Sequence, residues 1–408
     1  MKTNNFFLIL ILGSLTALSP LSIDMYLSAF PEIAKNLNTT VAEVSLSLSS
    51  YFIGLSLGQL FYGPLLDRFG RKPPLYVGLL IYIFASIGCL YSHSIDALIA
   101  FRLLQAVGGC AANVTAMSMV RDLFSVKEGA KVFSLLVLIL GVSPLLAPTV
   151  GSYMTAFWGW HSVFIALGSI ALILLLVAIV FLPSSHTPDK SIKLRFGPIF
   201  SNYLEILKQP QFYTYTLCGA VAFSGLFVYV AGSPIIFMNI YKVSAQTYGW
   251  IFAGLSVGFI GMSQMNIYFL KHFSNEQILK AALLVQATAG IIFVTTGTIN
   301  VLNLPLTLLL FFAFLSCVGL INPNAAALAL APFTKNVGSA AALMGFLQMG
   351  IGAIASTIVG LMSSNSMIPT ISILAISSCL ANIVLSWGRK RIRNKVEVNN
   401  DIVAGVVH

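Results

Sequence analysis

Asp24 lies in "SPLSIDMYLSAF" (residues 19–30) and Arg102 in "ALIAFRLLQAVGG" (residues 97–109), both inside long apolar runs. An ionised side chain at mid-membrane costs about 2.5–3.5 kcal/mol on insertion scales, so each must face a cavity, a partner or an interface. The other acids (Glu32, Glu43, Asp67, Asp96, Asp122, Glu128, Asp189, Glu205, Glu276, Glu397 and Asp401) fall in loops or near span boundaries. Asp24 is therefore the one carboxylate expected at membrane depth. A carboxylate that trades its charge for a proton is what an ion-coupled carrier requires. Counting at 1.5 Å per residue, Asp24 sits about 9 Å below the outer end of its span, and Arg102 sits level with it. The two are expected to act as one proton-coupling unit. A purely structural ion pair, or an Arg102 that snorkels to the interface, would fit the same spacing. Arg102, Gly109 and Asn113 follow at intervals of 7 and 4, one stripe of a helix, and Asn113 would offer a neutral polar contact. Tyr229 and Asn239 are further candidates for a cavity wall, although packing would explain them equally well.

These residues need helices to hold them. The chain has 408 residues, 58% hydrophobic and only 8% charged, against about 25% charged in soluble domains. Apolar segments long enough to cross a bilayer as helices recur throughout. Twelve spans are predicted at 6–30, 44–64, 74–92, 97–120, 131–155, 161–182, 211–240, 246–270, 277–299, 303–331, 337–362 and 367–387. The N-terminal run lacks a convincing cleavage site and reads as an uncleaved first span. The pattern gives an all-α membrane protein of two six-helix bundles, 1–182 and 210–388. A Pro-, Ser- and Lys-rich linker (183–209) joins them, and a basic tail (389–408) follows. All Lys and Arg except Lys35, Lys242 and Arg102 fall on one side, which puts both termini and the linker in the cytoplasm. This asymmetry accounts for the net charge of +10 without any nucleic acid, and the tail would lie against anionic lipid. "YFIGLSLGQ" (51–59) returns as "IFAGLSVGF" (251–259), as expected for two related bundles with a binding site between them.

The loop "GPLLDRFGRKPP" (63–74) crowds Asp67, Arg68, Arg71 and Lys72 between Gly63 and Gly70. An acid adds nothing to the positive-inside rule, so the Asp asks for a specific partner. The loop resembles the signature G-x-L-x-D-R-x-G-R-[RK] of the major facilitator superfamily. The resemblance implies that fold, and a latch joining the cytoplasmic ends of the bundles. Arg102, Gln105 and Gly108 resemble the family's fourth-span R-x-x-Q-G-x-G, with Ala106 in place of the first Gly. "LGVSPLLAPTVGSYM" (140–154) carries Gly141, Pro144, Pro148 and Gly151, a kinkable helix with a smooth face. It is similar to the antiporter motif in the form found in bicyclomycin-resistance (Bcr/CflA) drug exporters, with Ser152 where a second Gly is usual. "SIDMYL", "WGWHSVF" (158–164, His161 where Arg is common) and "GLINPNAAALALAPF" (319–333) suit the same branch. That branch implies a drug:proton antiporter of the bacterial inner membrane, with Asp24 taking part in coupling.

No G-x-x-x-x-G-K-[ST] phosphate loop, metal-ligand cluster or nucleophile–base arrangement is present, and His93, His161, His186, His272 and His408 are scattered. Cys89, Cys110, Cys218, Cys317 and Cys379 lie in apolar segments without C-x-x-C spacing and read as buried thiols. The expectation is a monomeric, non-enzymatic carrier with small-molecule substrate, protons and the bilayer as partners, and neither cofactor nor metal. A proton-coupled carrier for a natural metabolite or siderophore is the alternative; a membrane enzyme or channel is a distant one.

Overall fold

A computed structural model describes residues 3–124, 126–185, 188, 196–333, 337–362, 366–392 and 396. Much of the expected linker and tail lies outside the described residues. The first half comprises α1 (Thr3–Leu27), the short α2 (Phe30–Asn36), α3 (Val41–Phe69), α4 (Lys72–Leu90), α5 (Ile95–Leu123), α6 (Val126–Trp158) and α7 (His161–Phe181). The linker contributes α8 (Phe196–Leu207), and the second half comprises α9 (Pro210–Ser233), α10 (Ala245–Phe269), α11 (Asn275–Thr298), α12 (Leu304–Leu330), α13 (Val337–Met362) and α14 (Ile368–Arg389). Leaving aside α2 and α8, twelve helices have the length of a membrane span. Eleven also meet the hydropathy of a span over their described residues, and the twelfth is the 33-residue α6.

Local chemistry marks the ends. Thr40 and Glu43 form a reciprocal capping box before α3, and Ser274 and Gln277 form another before α11. Ser94, Ser244 and Asn303 cap α5, α10 and α12 through their side-chain oxygens. Gly70, at φ 82°, turns the chain between α3 and α4 in a conformation that a Cβ would strain. One expected end is corrected. The first span stops at Leu27, and Phe30, expected inside it, begins a separate helix with Pro31 in its first turn. The seventh runs to Ile240 as expected, its last seven residues forming a π-helical segment, Pro234–Ile240. Pro234 has no N–H, which favours a break in the α-helical ladder there.

In the first bundle α1 packs on α5, α6 and α7, α3 on α5, and α4 on α5 and α7. In the second, α9 packs on α12, α13 and α14, α10 on α12, and α11 on α12 and α14. The bundles meet along two seams, α3 against α13 and α6 against α10. At the end bearing Phe30, one apolar cluster is shared: Tyr26, Phe30, Leu48 and Phe52 pack with Phe227, Phe237, Phe252 and Phe311. Elsewhere each bundle keeps its own core, around Leu12, Leu79 and Leu167 in the first and Phe212, Leu283 and Ile321 in the second.

Candidate functional site

A pocket of about 140 Å³ lies between the bundles, and Asp24 is the one ionisable carboxyl on its wall. The wall is otherwise mostly aromatic and aliphatic, with Phe52, Phe227, Tyr229 and Phe252 prominent and Ser256 adding a hydroxyl. Asp24 is buried (5% exposed), and among the described residues no side chain donates a hydrogen bond to it. Tyr229 is buried too, and its hydroxyl has no hydrogen-bond partner. Its ring stacks on Phe252, with centroids 5.4 Å apart, and meets Phe311 edge-on. Such a pocket accepts apolar or aromatic bodies and offers very few polar anchors.

Arg102 is fully buried, so it does not snorkel. Among the described residues no ion pair joins it to Asp24 in this structure. Arg102 Nη1 donates to Gln105 Oε1 at 2.6 Å, and Nη2 donates to the Ser22 carbonyl at 3.0 Å. Its guanidinium lies 4.2 Å from the Tyr51 ring centroid and 4.5 Å from that of Tyr26. Desolvated cation–π contacts of this kind contribute about 2 kcal/mol or more, which offsets part of the burial cost. The reason for the separation is helical phase. Ser22 and Tyr26, four apart, share one face of α1, and Asp24 between them points the opposite way. Equal depth was legible from spacing; rotation about the axis was not. Behind Arg102 the network continues, since Gln105 Nε2 donates to Ser86 Oγ at 2.8 Å and the hydroxyls of Ser22 and Tyr82 are hydrogen-bonded.

Of the three cavity candidates, Tyr229 shares the pocket with Asp24, whereas Asn113 and Asn239 are not on its wall. Asn113 is half-buried with an unpartnered Oδ1, and Asn239 sits in the π-helical segment. The aromatic lining escaped the sequence reading because, in a chain this apolar, a Phe gives no sign of which way it faces.

The antiporter-type helix reaches the pocket through Pro144. Gly151 lets α6 approach the backbone of α1: a Cβ there would lie 2.8 Å from Met25 Cα and inside van der Waals contact of the Met25 carbonyl. At the other end of the motif a Cβ on Gly141 would meet Ile260 of α10 at 3.3 Å. Pro148, between them, is buried. The motif thus touches α1 beside Asp24 and α10 across the bundle seam.

Arg71 of the signature loop pairs within the first bundle. Arg71 Nη1 donates to Asp67 Oδ1 at 2.7 Å, while Nε and Nη2 donate to Asp122 at 2.7 and 3.2 Å. The Arg71 and Asp122 side chains are 8% and 16% exposed, whereas the Asp67 side chain is 50% exposed. Arg68 lies over the Phe69 ring, Gly63 has open space around it, and Lys72 begins α4. Among the described residues, the Arg71 pairs join α3, α4 and α5 of one bundle. Asp122 was not singled out from sequence, though its place at a span end beside Arg121 is the signal that would have found it. No group of three His, Cys, Asp or Glu suited to a metal occurs among the described residues.

Among the described residues, twelve helices of span length, eleven of them apolar enough to cross a membrane, form two bundles with the Asp24 pocket between them, the arrangement of a secondary transporter. The model of the Major Facilitator Superfamily matches residues 12–357. A bicyclomycin resistance protein homolog from Haemophilus influenzae is 31% identical over 386 residues, covering 95% of this chain and 96% of that one. The multidrug resistance protein MdtL of Klebsiella pneumoniae is 27% identical, covering 91% and 94%. Among solved structures, a D-xylose-proton symporter superposes with a TM-score of 0.72 at 15% identity, covering 93% of this chain and 97% of that one. The chain belongs to the Major Facilitator Superfamily, and within it stands with the bicyclomycin-resistance-like transporters. It is a multi-pass membrane transporter of small molecules rather than an enzyme, and its family needs no cofactor.

Proposed function

We propose that this protein is a proton-driven antiporter exporting small amphipathic molecules, drugs among them, across the bacterial inner membrane. The carrying observation is Asp24: a buried carboxyl with no hydrogen-bond donor among the described residues, on the wall of an aromatic pocket between two bundles. A proton and the polar group of a substrate would compete for that carboxyl, so binding one releases the other. Alternating access would turn that competition into exchange. The printed names of the relatives, bicyclomycin resistance and multidrug resistance, support the substrate class.

Both termini and the Arg71 end face the cytoplasm in this reading, because nearly all Lys and Arg lie there. The aromatic cluster at the Phe30 end is then the periplasmic seal. The working units are residues 1–182 and 210–388, joined by 183–209 and followed by a tail (389–408) against anionic lipid. The chain works as a monomer. Arg102 assists from behind, by fixing the helix that carries Asp24. Asn113 and Asn239 would meet substrate only in another state of the cycle.

Everted vesicles carrying a preset proton gradient test the reading. Adding a substrate drug should dissipate the gradient in vesicles with the native protein and not in those with Asp24→Asn. Equal dissipation by the two would remove Asp24 from coupling, and dissipation only by a metabolite would replace the drug class.

A further inference from the structure

A smaller recess, of about 10 Å³, lies in the wall of the second bundle between α9, α12 and α13, with room for one water-sized group. Gly219 of α9 and Ala325 of α12 make its floor, where a Cβ on Gly219 would come within 2.8 Å of Ala325 Cβ. All three helices supply polar groups. Gln348 Nε2 of α13 donates to Asn322 Oδ1 of α12 at 2.7 Å, joining two helices that each pack on α9. That bond leaves N–H donors on both amides, and the Gln348 carbonyl, for a third group. Thr216 of α9 is 2% exposed, and its hydroxyl has no hydrogen-bond partner. Among the described residues no carboxylate and no cationic side chain lines the recess. Asn322 and Gln348 are partly exposed, about 12 and 16 Å from the Leu330 end of α12 and the Val337 end of α13. A carboxamide at that depth is costly against acyl chains, so the pair faces a wet space between the bundles. The Gln59 side chain of α3 lies against Gly345, three residues from Gln348, which puts the first bundle opposite. Gly338, at the start of α13, lies against Arg121, so the recess is on the Arg71 side of the Asp24 pocket. Along α12, Asn322 is seven residues, about 10 Å, from Leu315 of that pocket.

We propose that this recess is a second solute subsite, separate from the Asp24 pocket, which takes the neutral carboxamide or lactam edge of a small molecule. A carboxamide edge carries an N–H and a C=O side by side, and the Asn322–Gln348 pair offers an acceptor to the one and donors to the other. A carboxylate or an ammonium would lose its hydration with no opposite charge to offset the loss. An ester accepts but does not donate, so it leaves the Gln348 carbonyl unpaired. A site built to hydrogen-bond an N–H rejects the analogue that lacks it. Thr216 adds a third contact: its buried hydroxyl is unpaired in the free protein, and a ligand atom on the recess floor satisfies it. Water fits the same volume and is what the amide displaces. The inference deepens the export reading, and rests on it only in taking the occupant to be a transported solute.

The test reads binding rather than transport. The full-length protein in phosphatidylcholine–phosphatidylglycerol vesicles is illuminated with a trifluoromethyl-diazirinyl benzamide, and the adducts are mapped by peptide mass. The methyl ester built on the same ring is the matched control. Adducts on the segments around Asn322 and Gln348 should be several-fold denser with the benzamide than with the ester. Excess benzamide should displace them, and excess methyl benzoate should not. Thr216→Val keeps the shape of the side chain and should cut these adducts several-fold, while the melting temperature stays level or rises. Gln348→Met should cut them as well, and Asp24→Asn should leave them unchanged. Equal labelling by benzamide and ester overturns the proposal, because the recess then holds water only. Native labelling in either Thr216→Val or Gln348→Met overturns it too. So does loss of the adducts in Asp24→Asn, which would make recess and pocket one site. If labelling behaves as expected while drug-dependent proton movement fails, the export reading falls and the recess stands.

Discussion

Arg102 donates a hydrogen bond to the carbonyl oxygen of Ser22, 3.0 Å away, from the side of α1 opposite Asp24. The buried guanidinium thus fixes the rotation and depth of the helix on which Asp24 is mounted, without touching the carboxyl itself. Removing it in Arg102→Met should cost about 1.5–3 kcal/mol of charge-assisted hydrogen bonding, seen as a lower melting temperature in detergent. Transport should fall in amplitude while the midpoint of its pH profile stays put, because no ion pair links the two groups. Arg102→Lys should not rescue, since an ammonium cannot bond Gln105 and Ser22 in one plane while lying over Tyr51. A shifted midpoint would mean that the two charges meet in another state of the cycle.

The signature loop allows a comparison of magnitudes. Asp122 accepts two hydrogen bonds from Arg71 through a mostly buried side chain, whereas Asp67 accepts one through a side chain that is half exposed. Hydrogen bonds to charged groups contribute about 1.5–3 kcal/mol, and exposed ion pairs rarely more than about 1 kcal/mol. Asp122→Asn should therefore lower thermal stability more than Asp67→Asn. Melting curves of the two variants decide it. A larger loss from Asp67→Asn would place the structural weight of this loop where its motif alone suggested.

The helices themselves were legible because twelve apolar runs separated by capping residues leave few other options, and Asp24 was legible because a lone carboxylate in such a run is conspicuous. What faced what was not. A twelve-residue apolar stretch carries no amphipathic stripe when both lipid and protein neighbours are apolar, so the inward faces holding Phe52, Phe227 and Phe252 look like the outward ones. The same degeneracy hid that Ser22 and Asp24, two residues apart, serve different neighbours. Charge sequence also misled at the loop: Arg71 has a carboxylate four residues away, but its other partner, Asp122, lies 51 positions along the chain.

Tyr229 carries a hydroxyl that is buried beside Asp24 without a hydrogen-bond partner. An unsatisfied buried polar group costs about 1–3 kcal/mol. Tyr229→Phe removes that cost with little change of shape, so its melting temperature should equal or exceed the native one. Retaining a costly hydroxyl fits a role in binding. The variant should lose affinity several-fold for substrates bearing a hydrogen-bond acceptor, and little for purely apolar cations. Tryptophan-fluorescence titrations with one ligand of each kind would measure the split; equal affinities for native and variant protein would leave the hydroxyl without a role.

Gly151 and Gly141 belong to one motif but should answer differently to the same added methyl group. At Gly151 the new Cβ would run into the Met25 carbonyl and lie 2.8 Å from Met25 Cα, and backbone atoms cannot rotate away. The helices α1 and α6 would have to part. Overpacking of this sort costs about 1–3 kcal/mol, and the residue pushed aside is the neighbour of Asp24. At Gly141 the Cβ would meet the Ile260 side chain at 3.3 Å, which a rotamer change relieves. Gly151→Ala should therefore lower both thermal stability and coupled transport, with leakage of protons if the Asp24 pocket no longer closes. Gly141→Ala should insert, fold and transport close to normally. The measurement is proton-gradient decay in vesicles of each variant, with and without drug, alongside melting temperatures. If Gly151→Ala proves as benign as Gly141→Ala, α1 and α6 do not stay in this contact through the cycle, and the motif owes its effect to the prolines between the two glycines.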